Sequence, residues 1–373
     1  MLRDPRRNWV SDGASGAPVR RLLPCLAELA LDRAELESEA AARDRAFVRY
    51  FGTTLSRGPE AAAGVGLTDG RRTLDAIGEG REDSSVDPRS RSLVVLGGSG
   101  FLGAQVLRRA AAAGWERVVS LSRATGLDLA AADARAIEGA LRSHGASAVL
   151  LCAAMAKIDE CEREPERAAA TNERAPREVA RACAALGLRL VHVSTDLAFG
   201  AAPAPPGGFR EEHEPAPIST YGRTKVAGER AVLAAHPAAL VARIPLLYGD
   251  SLGRGLGATD GLLAALARGE TPTLFSDEWR TPLDVVDAAD ALLELAHGSL
   301  GGLLHLAGPE RLSRAELGLL AVRAAARPTL PRTAPRSSAP LLNLRPADVC
   351  LDTTLARSLL RTRLRPATEA LAR

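Results

Sequence analysis

From Ser92 onward, apolar residues gather in short blocks. Leu93-Val94-Val95-Leu96 is an unbroken apolar run, the pattern of a strand covered on both faces. Similar runs follow at Arg117–Leu121, Ala148–Leu151 and Leu188–Val193. The stretch after Gly103 has helical character to Ala113 and stops at Gly114; segments near Ala131–Ser143 and Pro165–Leu186 are helical too. Strand alternating with helix at this pace predicts an α/β fold, a doubly wound parallel sheet of Rossmann type. Right-handed crossovers then place ligands at the C-terminal ends of the strands. After about Pro245 the rhythm is less regular. Helices are expected at Gly261–Arg268, at Asp284–His297 with a stop at Gly298, and at Arg314–Ala326. No internal repeat occurs.

The first 90 residues differ. Leu22 to Tyr50 has patchy helical spacing, and Arg57–Arg91 is rich in Gly, Ser, Asp, Glu and Arg, which reads as a linker or disordered segment. The expected organisation is therefore an extension over 1–90 with no chemistry assigned, a Rossmann domain over 91–245, and a smaller C-terminal lobe over 246–373. That lobe is mainly substrate-binding, and part of it returns to the Rossmann domain. The chain of 373 residues is long enough for this.

Charge narrows the function classes. The net charge is only +3 on 48 basic and 45 acidic residues, and no basic run is interleaved with aromatics, so nucleic acid is not an expected partner. No apolar stretch reaches the length of a membrane span. The first 20 residues lack the apolar core of a secretory signal. Their arginines leave an organelle-targeting segment open, against which Asp4 and Asp12 argue, and the cytoplasm is the default location. The five cysteines form no C-x-x-C pair and read as buried free thiols in a reducing compartment. The six histidines lie apart with no H-x-x-x-H or H-E-x-x-H, so no metal site is expected. No G-x-S-x-G elbow appears.

Chemistry concentrates in four places. Gly97, Gly100 and Gly103 form G-x-x-G-x-x-G between a strand and a helix, with Phe101 and Leu102 inside the turn. Glycine permits the tight turn and close approach to a pyrophosphate, and the helix start offers free N–H groups; a plain turn is the alternative. The second strand ends at Ser122-Arg123, where an acid would select NAD; Arg123 either meets a 2′-phosphate or is a solvated surface residue. Tyr221 and Lys225 form Y-x-x-x-K, which puts phenol and ammonium on one helix face. The ammonium is expected to lower the phenol's pKa from about 10. A tuned Tyr can then protonate a carbonyl oxygen, although the same spacing also occurs on solvated helices. Finally, Val193-Ser194-Thr195-Asp196 ends a strand with hydroxyls that could orient a carbonyl or simply close the strand.

Together these residues resemble the extended short-chain dehydrogenase/reductase superfamily, and within it the dTDP-4-dehydrorhamnose reductase-like family. The likeness runs from about Ser92 to the C-terminus. Leu150 to Ala154 is similar to the family's N-A-A strand end beside the cofactor. Ile158 to Pro165 with Thr171-Asn172 is similar to V-D-x-x-E-x-E-P…V-N, and His192 to Phe199 to H-I-S-T-D-Y-V-F. Pro217 to Glu229 is similar to P-x-x-x-Y-G-R-x-K-x-x-G-E, and Leu127-Asp128-Leu129 to a D-L element near the adenine. Leu197 and Cys152 depart from the usual Tyr and Asn. The resemblance implies that Thr195, Tyr221 and Lys225 are catalytic. It implies that Gly97, Gly100, Phe101, Leu102, Gly103, Arg123, Asp128, Leu129, Ala153, Ala154, Tyr221 and Lys225 hold NADP, with NAD as the alternative cofactor. Hydride would pass to C4 of a nucleotide-linked 4-keto-6-deoxy sugar, with Arg243, Arg280-Thr281-Pro282 and Leu312-Ser313-Arg314 in the sugar-nucleotide lobe. A homodimer is left open. Two rivals share the fold: a non-catalytic NADP-binding regulatory subunit like that of methionine adenosyltransferase, and an epimerase or dehydratase.

Overall fold

The computed structural model describes residues 91–338 and 344–372. The expected extension over 1–90, with its helix over Leu22–Tyr50 and its linker apart from Arg91, lies outside the described residues. Six strands form one parallel sheet: β1 (Ser92–Leu96), β2 (Arg117–Leu121), β3 (Ala148–Leu151), β4 (Arg189–Thr195), β5 (Leu240–Ile244) and β6 (Gly302–His305). Their order is β6-β5-β4-β3-β1-β2. The chain turns outward from β1 to β2 and then crosses back to β3. Leu96 therefore sits opposite Leu121 on one side and Leu151 on the other. That reversal opens a crevice at the strand ends, the usual ligand position in such sheets.

The unbroken apolar run of β1 follows from cover on both faces. Leu93 and Val95 pack with Leu102 and Val106 of helix α1 (Phe101–Arg109) and with the apolar face of a late helix, Val285–His297. Val94 and Leu96 face the other way, onto Ile137 and Leu141 of α2 (Ala134–Ser143) and Val179 and Cys183 of a helix over Ala175–Leu186. All four β1 side chains are fully buried. Burial of each contributes about 1.5–3 kcal/mol.

The expected helix Pro165–Leu186 is present with a defect. A short helix α3 (Ile158–Arg163) precedes it, α4 (Pro165–Ala169) opens it, a π-helical turn covers Ala170–Arg174, and α5 (Ala175–Leu186) completes it. Helix α6 (Thr220–Ala235) then leads into β5. The helix after the glycine turn is shorter than the pattern suggests: α1 ends at Arg109, residues to Ala113 form turns, and Gly114 closes them at φ +85.

Beyond β5 the chain makes α7 (Asp260–Ala267) and, after short paired strands, returns as α8 (Val285–His297) and β6 to the sheet. Helix α9 (Arg314–Ala324) follows. Leu262, Leu266, Leu274, Ala315 and Val322 form a separate small core there. Among the described residues no helix is long and apolar enough to cross a membrane. The four described cysteines are free thiols.

Candidate active site

The turn after β1 is built to the limits of backbone packing. Gly97 has φ +93, and a Cβ there would lie 2.6 Å from the Ala153 amide nitrogen beyond β3. A Cβ on Gly103 would run into the Gly97 carbonyl oxygen, and one on Gly98 into Ser120 Oγ. Gly100 stands at the N-cap of α1 and supplies no capping side chain. The first N–H groups of α1, from Phe101 and buried Leu102 onward, are left for a ligand. Ala153 forms the opposite wall, and Ala154, next along the chain, is exposed. This cradle, which any side chain would fill, fits a dinucleotide diphosphate. Arg123 lies at the tip of β2, exposed and without an ion-pair partner among the described residues. Asp128 is exposed, with its carboxylate on the Ala130 N–H at 3.1 Å. Leu129 packs half-buried on the core behind it.

Thr195, Tyr221 and Lys225 come together at the C-terminal end of β4. Strand alternation sends Ser194 inward, where its hydroxyl donates to Glu229 at 2.5 Å, and leaves Thr195 on the other face. Thr195 Oγ1 donates to Asp196 Oδ1 at 3.1 Å and accepts the Leu197 N–H at 3.1 Å, and it lies close enough to the Tyr221 phenol to pull its pKa down. It closes the strand and stands beside the phenol. Two anchors fix the start of α6. Ser219 Oγ accepts the Gly222 N–H at 3.1 Å, and Glu162 of α3 accepts the Thr220 N–H and hydroxyl at 2.6 and 2.7 Å. Gly222 lets the helix press against the Leu197 carbonyl.

Electrostatics at the site correct one expectation. Burial pushes the Tyr221 phenol above its ordinary value, only partly offset by the nearby Thr195 hydroxyl, and Asp196 raises it further. The Lys225 ammonium does not counter this, because Nζ donates instead to the Val193 carbonyl at 2.8 Å and lies 3.4 Å from His192 Nε2. Burial lowers Lys225 to about 8, with Glu229 opposing the shift. Burial raises Asp196 to about 6 against the pull of Arg280.

Other expected residues fall elsewhere. Arg243 is in β5, not the C-terminal lobe; it forks onto Glu229 at 2.9 and 2.7 Å and is almost wholly buried. A buried guanidinium needs such a partner, so Arg243 braces the sheet. Arg280 is held by Glu278, the Trp279 and Pro346 carbonyls and, at 3.6 Å, Asp196. Thr281 accepts the Leu351 N–H. Arg314 is the exception: half-buried near Glu278, Arg280 and Asp196, with no hydrogen bond to its side chain among the described residues. Glu211, which as part of an acidic stretch would be solvated, is half-buried, accepts the His305 N–H at 2.9 Å and is raised by burial to about 7.

Asn172 carries a structural role that its sequence position does not reveal. The π turn aims its fully buried amide at two elements at once. It accepts the Met155 N–H at 2.9 Å, and it donates to Met155 O at 3.0 Å and Thr224 Oγ1 at 3.2 Å. It therefore ties the segment after β3 to the helix bearing Tyr221 and Lys225. The sequence marks Asn172 as a polar residue inside an amphipathic helix and through the likeness of Thr171-Asn172 to the family's V-N, and neither gives these contacts. Among the described residues no group of three His, Cys, Asp or Glu is placed to hold a metal.

The family model for the RmlD substrate binding domain matches residues 91–373. The dTDP-4-dehydrorhamnose reductase of Mycobacterium tuberculosis is 37% identical over 273 residues, covering 69% of this chain and 86% of its own. Methionine adenosyltransferase 2 subunit beta of Xenopus tropicalis is 30% identical over 246 residues, covering 63% and 72%. A crystal structure of dTDP-4-dehydrorhamnose reductase from Bacillus anthracis in complex with NADP superposes with a TM-score of 0.66 at 24% identity, over 75% of this chain and 96% of that one. With a parallel sheet, a dinucleotide cradle and a Thr-Tyr-Lys cluster already in place, this chain belongs to the dTDP-4-dehydrorhamnose reductase-like family of extended short-chain dehydrogenase/reductases, a family of NAD(P)-dependent oxidoreductases.

Proposed function

We propose that the protein reduces the C4 keto group of a nucleotide-linked 4-keto-6-deoxy sugar with NADPH, or with NADH, and that Thr195, Tyr221 and Lys225 carry the chemistry. The observation that supports this most is the placing of the Thr195 hydroxyl beside the Tyr221 phenol, with Lys225 one helical turn along α6. Two adjacent hydroxyls can hold one carbonyl oxygen. Tyr221 stays protonated at neutral pH, as its raised pKa requires, and gives its proton to that oxygen as the alkoxide forms. Lys225 holds a positive charge near neutrality beside this point and would turn from the Val193 carbonyl to the nicotinamide ribose. The bound reduced nicotinamide supplies the hydride. Gly97, Gly100, Phe101, Leu102 and Gly103 would hold its diphosphate between α1 and Ala153-Ala154. Arg123 would meet a 2′-phosphate, and Asp128 and Leu129 would flank the adenine end. In this reading residues 91–245 hold the cofactor and 246–373 mainly the sugar nucleotide. The reaction would be cytoplasmic, and a homodimer is the assembly to test by light scattering.

The test is NADPH consumption, followed by absorbance, with dTDP-4-keto-6-deoxy-L-mannose. Tyr221→Phe should cut turnover by about 10²–10⁴-fold, the usual worth of a positioned proton donor, and leave NADPH binding unchanged. Normal turnover in that variant would overturn the assignment. The 30% identity to a methionine adenosyltransferase subunit favours one rival, a non-catalytic NADP-binding regulatory subunit. Tight NADP binding without turnover of any keto sugar would select it. An epimerase or dehydratase would show no net NADPH use.

A further inference from the structure

A loop from the far side of β5 reaches the dinucleotide turn. It runs from Asp250 to Gly257 and feeds α7. Arg254 Nη1 donates to Ser99 O at 2.7 Å, and Nη2 to Gly100 O at 3.2 Å. These carbonyls belong to the two peptide units that enter α1. A planar peptide fixes its N–H opposite its C=O. Gripping Ser99 O thus sets the Gly100 N–H, which closes the turn onto Gly97 O at 3.1 Å. Gripping Gly100 O sets the Phe101 N–H, the first open donor of the helix.

The loop is held in place for this. Arg254 Nε donates back to Ser251 O at 2.9 Å. Ser251 donates its N–H and hydroxyl to Asp260 at 2.8 and 2.6 Å, and its hydroxyl oxygen accepts the Leu256 N–H at 3.1 Å. Gln105 of α1 donates to Asp250 O at 2.6 Å. Leu252 accepts a left-handed φ of 58 to complete the curve, a conformation that needs support from its surroundings. Gly257 abuts the Phe101 ring so closely that a Cβ would lie 2.5 Å from it.

We infer that Arg254 is a positioning residue for the cofactor: its two-carbonyl grip orients the first amides of α1 toward the dinucleotide diphosphate. This rests on the assignment of Gly97–Gly103 as the cofactor turn. The decisive measurement is binding, by calorimetry or NADPH fluorescence, in Arg254→Gln and Arg254→Lys. Both should weaken NADPH at least tenfold, because lysine keeps the charge but cannot span both carbonyls. Adenosine 2′-monophosphate, which lacks the pyrophosphate, should bind as in wild type, and turnover at saturating NADPH should change less than twofold. Wild-type NADPH affinity in Arg254→Lys overturns the two-carbonyl grip. Equal weakening of both ligands overturns it too, since that is a general loss of structure. Gly97→Ala separates the two levels. Lost NADPH binding in Gly97→Ala but not in Arg254→Gln overturns the positioning role alone. Intact binding in both overturns the cofactor turn with it.

Discussion

At the residue scale, burial decides how each functional group behaves. Lys225 has about 8 in the folded chain against 10.5 for a free lysine. Between those values the unfolded chain keeps a proton that the folded chain has released, so this residue makes stability rise with pH there and is most costly below pH 8. Activity should run the other way, because the proposed role needs the ammonium. We expect kcat/KM to fall as pH rises through about 8, and we expect the upward contribution to stability to vanish in Lys225→Met. Denaturant titrations of both proteins from pH 7 to 10.5 compare the slopes. Arg314 invites a different test. Its side chain lacks a hydrogen bond among the described residues while its neighbours Arg280 and Glu278 are engaged, and an anionic sugar nucleotide would supply an acceptor. Arg314→Gln should raise KM for the sugar nucleotide about tenfold or more, the scale of a lost charged hydrogen bond, with kcat little altered. An unchanged KM removes Arg314 from the substrate site.

At the scale of elements, the position of α6 is the critical variable. Gly228 lets α6 touch the π turn: a Cβ there would run into the Asn172 carbonyl oxygen. Gly228→Ala should therefore cost about 1–3 kcal/mol, as overpacking does, and lower kcat as Tyr221 moves from Thr195. Differential scanning calorimetry with steady-state kinetics checks both. Much of this scale was legible in the sequence. The run Leu93–Leu96, the glycines and the Tyr221/Lys225 spacing are local patterns, and local patterns survive folding. The π turn left one mark, Pro176, which has no N–H to give the Asn172 carbonyl, but a proline does not say whether a helix kinks, ends or slips its register there. The contacts of Glu162 with Thr220 and of Arg254 with Ser99 were not legible either, because they join residues far apart in the chain. Arg243 misleads for a related reason. An arginine inside an apolar strand suggests exposure until its partner Glu229, on the preceding helix, is seen.

For the whole molecule, the two halves of the fold are interleaved. The chain leaves the sheet after β5, builds the small core around Leu262 and Val322, and contributes α8 and β6 to the sheet on the way. The loop bearing Arg254 belongs to that excursion, yet it grips the turn after β1. Cofactor affinity is thus expected to depend on residues beyond position 245.

The outer position of β6 has a consequence for synthesis. Every residue of β5 is buried, and Leu240–Arg243 pairs with Gly302–His305. Until His305 has emerged from the ribosome, β5 presents an unpaired, largely apolar edge, a template for intermolecular pairing. A chain cut at residue 245 should accordingly be recovered in inclusion bodies, whereas one that continues past β6 and the C-terminal helices stays in solution. Expression of the two, compared by fractionation, reads this directly, and a soluble monomer from the shorter chain would show that β5 tolerates an open edge.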